Sequence, residues 1–68
     1  MNAMELDGLK AKIQYDAELG QFRGEILGLN GSADFYGNSQ EALRREFRHS
    51  LEVFKEVCRE NNIPPLQS

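Results

Sequence analysis

The sequence predicts an α+β fold, a two-layer sandwich in which a three-stranded antiparallel meander packs on one long helix in the order β-β-β-α. Three observations lead there. Two stretches near the N-terminus alternate apolar and polar residues with a period of two, and a shorter third follows. A long segment after them repeats its apolar residues at intervals of three and four. Glycine, asparagine and aspartate separate the stretches, and a pair of prolines follows the last one.

The first alternating stretch, residues 9–16, places Leu9, Ala11, Ile13 and Tyr15 on one side and Lys10, Lys12 and Gln14 on the other, as a strand with one dry face requires. Asp16-Ala17-Glu18-Leu19-Gly20 then breaks the pattern with an acidic start and a glycine able to adopt positive φ, which suits a hairpin loop. In the second stretch Phe22, Gly24 and Ile26 alternate with Gln21, Arg23 and Glu25 until Gly28-Leu29-Asn30-Gly31 ends the run. Gly24 falls on the dry side, where a missing side chain marks a bulge or a close approach by the helix. The third strand, residues 33–36, points Ala33 and Phe35 one way and Asp34 and Tyr36 the other, and Gly37-Asn38 closes it.

Ser39 is a favoured N-cap, and Leu43, Phe47, Leu51, Phe54 and Cys58 after it form an apolar stripe widened by Ala42, Ser50 and Val57. Asn61 and Asn62 suit a C-terminus, and Pro64-Pro65 forbids continuation. The helix is then about 22 residues and roughly 33 Å long. Residues 1–7 read as a leader or flexible N-terminus, 8–62 as the domain, and 63–68 as a tail in which 63–66 supplies at best a short fourth edge strand. The apolar side of the meander and the stripe of the helix cover one another. The sheet's other face is left wet, carrying Lys10, Lys12, Gln14, Arg23, Glu25 and Asp34, whose mixed signs can pair across strands.

Composition narrows the function. With 40% hydrophobic and 28% charged residues the chain is too apolar for intrinsic disorder. At 68 residues it has little material with which to enclose a substrate, so binding is favoured over catalysis, and neither an enzyme nor a cofactor is expected. A net charge of -3 does not seek nucleic acid and suits a basic protein partner instead. The single cysteine, Cys58, allows no internal disulfide, and no apolar run is long enough to cross a bilayer; a cytoplasmic protein without a membrane partner is expected.

Four carboxylates lie nearest the sheet: Asp16, Glu18, Glu25 and Asp34. A metal-dependent nuclease would need several to converge on a hard cation. Asp16 and Glu18 belong to a hairpin loop, and the polar side of the first strand carries lysine and glutamine, so the four read as a turn acid and solvated charges available to a partner. His49 is the only histidine, and its neighbour Ser50 projects about 100° away around the helix, which rules out a nucleophile and base by adjacency. Arg44, Arg45, Arg48, Lys55 and Arg59 give the outer side of the helix a positive bias, interrupted by Glu41, Glu46, Glu52, Glu56 and Glu60. Glu41 with Arg45 and Glu52 with Lys55 stand at contact spacing, so a solvated, ion-paired face is expected there and RNA binding is a minority reading. Cys58 reads as a small core residue. Open strand edges and an uncovered sheet face on so small a chain favour self-association into a dimer or higher oligomer.

The order of these features is itself informative. Gly8-Leu9-x-Ala11-x-Ile13-x-Tyr15-Asp16-x-Glu18-x-Gly20-x-Phe22-x-Gly24-x-Ile26-x-Gly28-Leu29, followed by Phe35-x-Gly37-x-Ser39-x-Glu41-x-Leu43-x-x-x-Phe47-x-x-Ser50-Leu51, resembles the N-terminal domain of HicB-like antitoxins over nearly all of residues 8–59. That resemblance implies a partial RNase H-like fold without nuclease chemistry, which binds a HicA-type toxin, a small basic ribonuclease acting on mRNA, and masks its active site. It also implies a DNA-binding segment beyond such a domain, and these residues do not match one, so DNA binding is not expected of them. Asp16, Glu18, Glu25 and Asp34 are the residues expected to touch the toxin.

Overall fold

A computed structural model of the chain describes residues 3–66. Four strands, β1 (Ala3–Leu6), β2 (Leu9–Asp16), β3 (Gln21–Ile26) and β4 (Asp34–Gly37), precede one helix, α1 (Gln40–Glu60). The strands form a single antiparallel sheet in the order β1-β2-β3-β4, and α1 lies across one of its faces. The fold is therefore the expected α+β sandwich, with a meander one strand longer than the predicted minimum.

The additional strand corrects the reading of residues 1–7 as a leader. Ala3 pairs with Lys12, Met4 with Ala11, Glu5 with Lys10 and Leu6 with Leu9, and Met4 and Leu6 are buried. Asp7 and Gly8 connect β1 to β2 with φ of 52° and 80°, the two positive values that a type I′ hairpin turn demands. Residues 1 and 2 of that segment, and 67 and 68 of the tail, lie outside the described residues. The fourth strand is thus N-terminal. At the C-terminal end, where a short edge strand was the alternative, there is only an isolated bridge between Leu29 and Leu66. Asn30 holds the tail in place: its N–H donates to the Pro65 carbonyl at 2.8 Å and its Nδ2 to the Pro64 carbonyl at 3.1 Å.

The core is one cluster between the layers. Met4, Leu6, Ala11, Ile13, Ile26, Leu29 and Phe35 from the sheet and its following loop meet Leu43, Phe47 and Leu51 from the helix. Phe35 and Phe47 stack with ring centroids 5.0 Å apart. Gly24 keeps a regular register opposite Ile13 and Phe35, and a Cβ there would fall within the Phe35 ring. The close approach expected at Gly24 therefore comes from the neighbouring strand's aromatic ring, and no bulge is present. Gly37 admits the first turn of the helix, because a Cβ at this position would lie 3.0 Å from the Leu43 amide nitrogen.

Ser39 caps α1 by accepting from the Ala42 N–H at 3.1 Å. At the other end Asn61 donates from its amide side chain to the Val57 carbonyl, and Asn62 takes the left-handed conformation at φ 56° that closes many helices. Cys58 is buried, as expected. Two positions depart from the predicted apolar surfaces. Tyr15 is 60% exposed near the end of β2, where its ring forms a T-shaped pair with Phe22 at a centroid distance of 5.2 Å. Val57, expected to widen the stripe, is 50% exposed, as is Val53 one turn earlier.

Candidate partner-binding face

The helix covers one side of the sheet and leaves the other to solvent. Strand alternation fixes which residues stand there: Ala3 and Glu5 on β1, Lys10, Lys12 and Gln14 on β2, Arg23 and Glu25 on β3, and Asp34 and Tyr36 on β4. The register arranges them in rows. Ala3, Lys12, Glu25 and Asp34 are aligned across all four strands, and Gln14, Arg23 and Tyr36 form the row beside them.

Two of the four carboxylates expected to contact a partner, Glu25 and Asp34, are direct cross-strand neighbours on this face. Like charges so placed repel. Arg23 relieves the repulsion from the next row, its Nη2 donating to Asp34 Oδ2 at 2.6 Å. That hydrogen bond, with the Coulombic attraction of Asp34 behind it, raises the Arg23 pKa above its ordinary value. The Nε of the same guanidinium is shielded and has no acceptor, which offsets part of the gain. Lys12 stands opposite Glu25, yet among the described residues no carboxylate lies within ion-pair distance of it. The cross-strand pairing foreseen for the wet face is thus realised once, by Arg23 and Asp34.

The other two, Asp16 and Glu18, are at the tip of the β2–β3 hairpin. Asp16 is partly a structural residue, since its Oδ1 accepts from the Glu18 N–H at 3.0 Å and the Leu19 N–H at 3.2 Å, holding the loop shut. Its backbone carbonyl accepts from Gly20 at 2.8 Å. Beside this tip is a shallow depression of about 280 Å³ lined by Gln14, Tyr15, Asp16, Ala17, Glu18 and Arg23. Asp16 and Glu25 lie at opposite ends of the β2–β3 pairing, Asp16 opposite Gln21 and Glu25 opposite Lys12. Gln21 and Glu25 are four strand positions apart, roughly 13 Å. The four carboxylates therefore form two pairs and do not converge on one point.

The distribution of charge revises the picture of an acidic sheet. On the exposed face Glu5, Glu25 and Asp34 balance Lys10, Lys12 and Arg23. On the helix five glutamates balance four arginines and one lysine. The residues left over, Asp7, Asp16 and Glu18, account for the whole net charge of -3, and all three occupy hairpin connections or the strand end beside them. The acidic character lies in the turns. Glu5 is the one charged member of the face that sequence reasoning missed, because with Ala3 it fell within the supposed leader; the Asp7-Gly8 dipeptide between Leu6 and Leu9 was the signal that would have found it.

Comparison with protein families, with curated proteins and with solved structures finds no match for this chain.

Proposed function

We propose that this chain is a non-catalytic binding domain of the HicB antitoxin type, which neutralises a small basic HicA-type mRNA ribonuclease by lying over its active site. The observation that carries the reading is the uncovered sheet face: four strands wide, polar in every row, and adjoining a hairpin tip that holds two of the three excess negative charges. A surface of this kind suits occlusion, which needs area and electrostatic match and no bond-making group. The ordered motifs of residues 8–59 support the same partner. In this reading the domain works in the cytoplasm, where an mRNA ribonuclease has its substrate.

The test is calorimetry and size-exclusion chromatography with the small basic ribonuclease encoded next to this gene. A complex forming at submicromolar concentration, with loss of RNA cleavage, is expected; no complex at micromolar concentration overturns the proposal. Glu18→Gln with Asp16→Asn leaves the hairpin hydrogen bonds available but removes the charge. That pair of changes is expected to slow association and flatten its salt dependence, with little effect on dissociation, as edge charges do.

A further inference from the structure

We infer, on the reading of this chain as a domain that covers a basic protein, that the helix side of the β2–β3 hairpin end is an anchor site. A cleft there takes one leucine- or phenylalanine-sized side chain of the partner, and the acidic hairpin tip holds the basic residue next to it.

The exposure of Tyr15 locates the site. Strand alternation puts Tyr15 on the same side as Ile13, and the register aligns it with Phe22 and Gly37 as the last inward row before the tip. The helix starts over only one end of that row, where the space above Gly37 is taken by the backbone of Ala42 and Leu43. From there α1 packs closest against β4, reaches β3 and β1, and makes no close backbone approach to β2 among the described residues. Phe22 is left half-buried and Tyr15 mostly exposed, their rings edge to face. Beside this pair is a cleft of about 160 Å³, with Ile13, Phe22 and Leu43 as apolar walls and the exposed Gln40 as its polar lining.

Size and charge select the occupant. Sites for small molecules usually enclose about 300 Å³ or more. This cleft has room for roughly five water molecules at about 30 Å³ each, or for one apolar side chain, which is how interfaces receive an anchor residue. The tip beside it is acidic: Asp16 directly follows Tyr15, and Glu18 has no cation within 4.0 Å among the described residues. Glu41, foreseen as the partner of Arg45, is likewise left free in the first turn of the helix, because Arg45 pairs with Glu46. The nearby cation on the flank of Gln40 is Arg44, one helical turn further on. A basic residue next to the anchor is therefore drawn to the hairpin tip, away from the helix.

The measurement is a ¹H–¹⁵N NMR titration of the full chain with three capped dipeptides: acetyl-Phe-Arg-amide, acetyl-Phe-Gln-amide and acetyl-Ala-Arg-amide. The first is expected to shift the amides of Ile13, Phe22, Gln40 and Leu43 saturably, in the low millimolar range open to so small a ligand. The other two, lacking the charge or the ring, are expected to bind at least roughly threefold more weakly. Gln40→Trp, which fills the cleft from an exposed position, is expected to abolish these shifts without lowering the thermal melt. With the adjacent-gene ribonuclease, the same variant is expected to lose at least roughly tenfold in affinity, while Val53→Gln, on the other flank of the helix, binds like the parent. A parent chain that forms no complex with the ribonuclease removes the antitoxin reading and leaves the cleft to be judged by the dipeptides. A parent and a Gln40→Trp variant that bind the ribonuclease equally well remove the anchor site alone. Absence of saturable shifts, equal binding of the three dipeptides, or shifts that survive Gln40→Trp would each overturn the inference.

Discussion

At Gly24 the ring of Phe35 occupies the space where any other residue would place its Cβ. That ring cannot retreat easily, being 3% exposed and stacked on Phe47, which is fully buried. Gly24→Val should therefore destabilise the fold by about 1–3 kcal/mol or more, as overpacking of a filled core does. A lower urea midpoint with unchanged slope would show it; an unchanged midpoint would mean that the sheet can absorb the methyl groups. Asp16 presents the opposite case, an exposed residue whose structural and electrostatic contributions can be separated. Asp16→Ala removes the acceptor for two loop amides and should cost about 1 kcal/mol, whereas Asp16→Asn retains an acceptor oxygen and should cost less. Thermal melts of the two variants compare these directly, and equal losses would assign the effect to charge.

At the level of elements, the β1–β2 hairpin depends on a turn that tolerates few residues. Gly8 sits at φ 80°, so Gly8→Ala should cost about 1–2 kcal/mol although nothing lies near its absent Cβ. A melting temperature equal to the parent's would contradict a left-handed backbone at this position. The same hairpin shows what alternation can and cannot reveal. β2 and β3 were legible because eight and six residues give several periods, and α1 was legible because its stripe persists from Leu43 to Cys58 between a serine cap and an asparagine end. β1 has four residues, too few for a period to stand out, and its inward positions are Met4 and Leu6, which favour no strand by themselves. β4 runs one residue later than predicted because its last inward position is Gly37, which has no side chain to register in a hydrophobic pattern. The wet face was legible from the same alternation, since Lys10, Lys12, Arg23, Glu25 and Asp34 all stand where their parity puts them. The ion pairs were not. Spacing fixes where a Cβ points, while the choice of Glu46 over Glu41 by Arg45 is made by flexible side chains in water, where competing pairs differ by a few tenths of a kcal/mol.

Across the whole molecule, a chain of 68 residues carries one thin core and correspondingly little reserve. Typical per-residue values give such a domain about 3–10 kcal/mol of stability in total. Phe47 is a side chain that joins the layers, fully buried and stacked on Phe35 of β4, and the described residues hold no second cluster to compensate for its loss. Phe47→Ala should cost about 3–5 kcal/mol, a large fraction of that reserve. A substantially unfolded population at 25 °C is then expected, visible as reduced helical circular dichroism and a broadened denaturation curve. By contrast, Arg44→Gln, Arg48→Gln and Lys55→Gln alter only exposed positions and should leave both signals intact. The molecule is thus divided into an interior where single truncations remove the fold and two outward surfaces, one on each layer, where charge can change freely. Should Phe47→Ala retain the parent's cooperative transition, the layers would have to be held together by something other than the contact between this helix and this sheet.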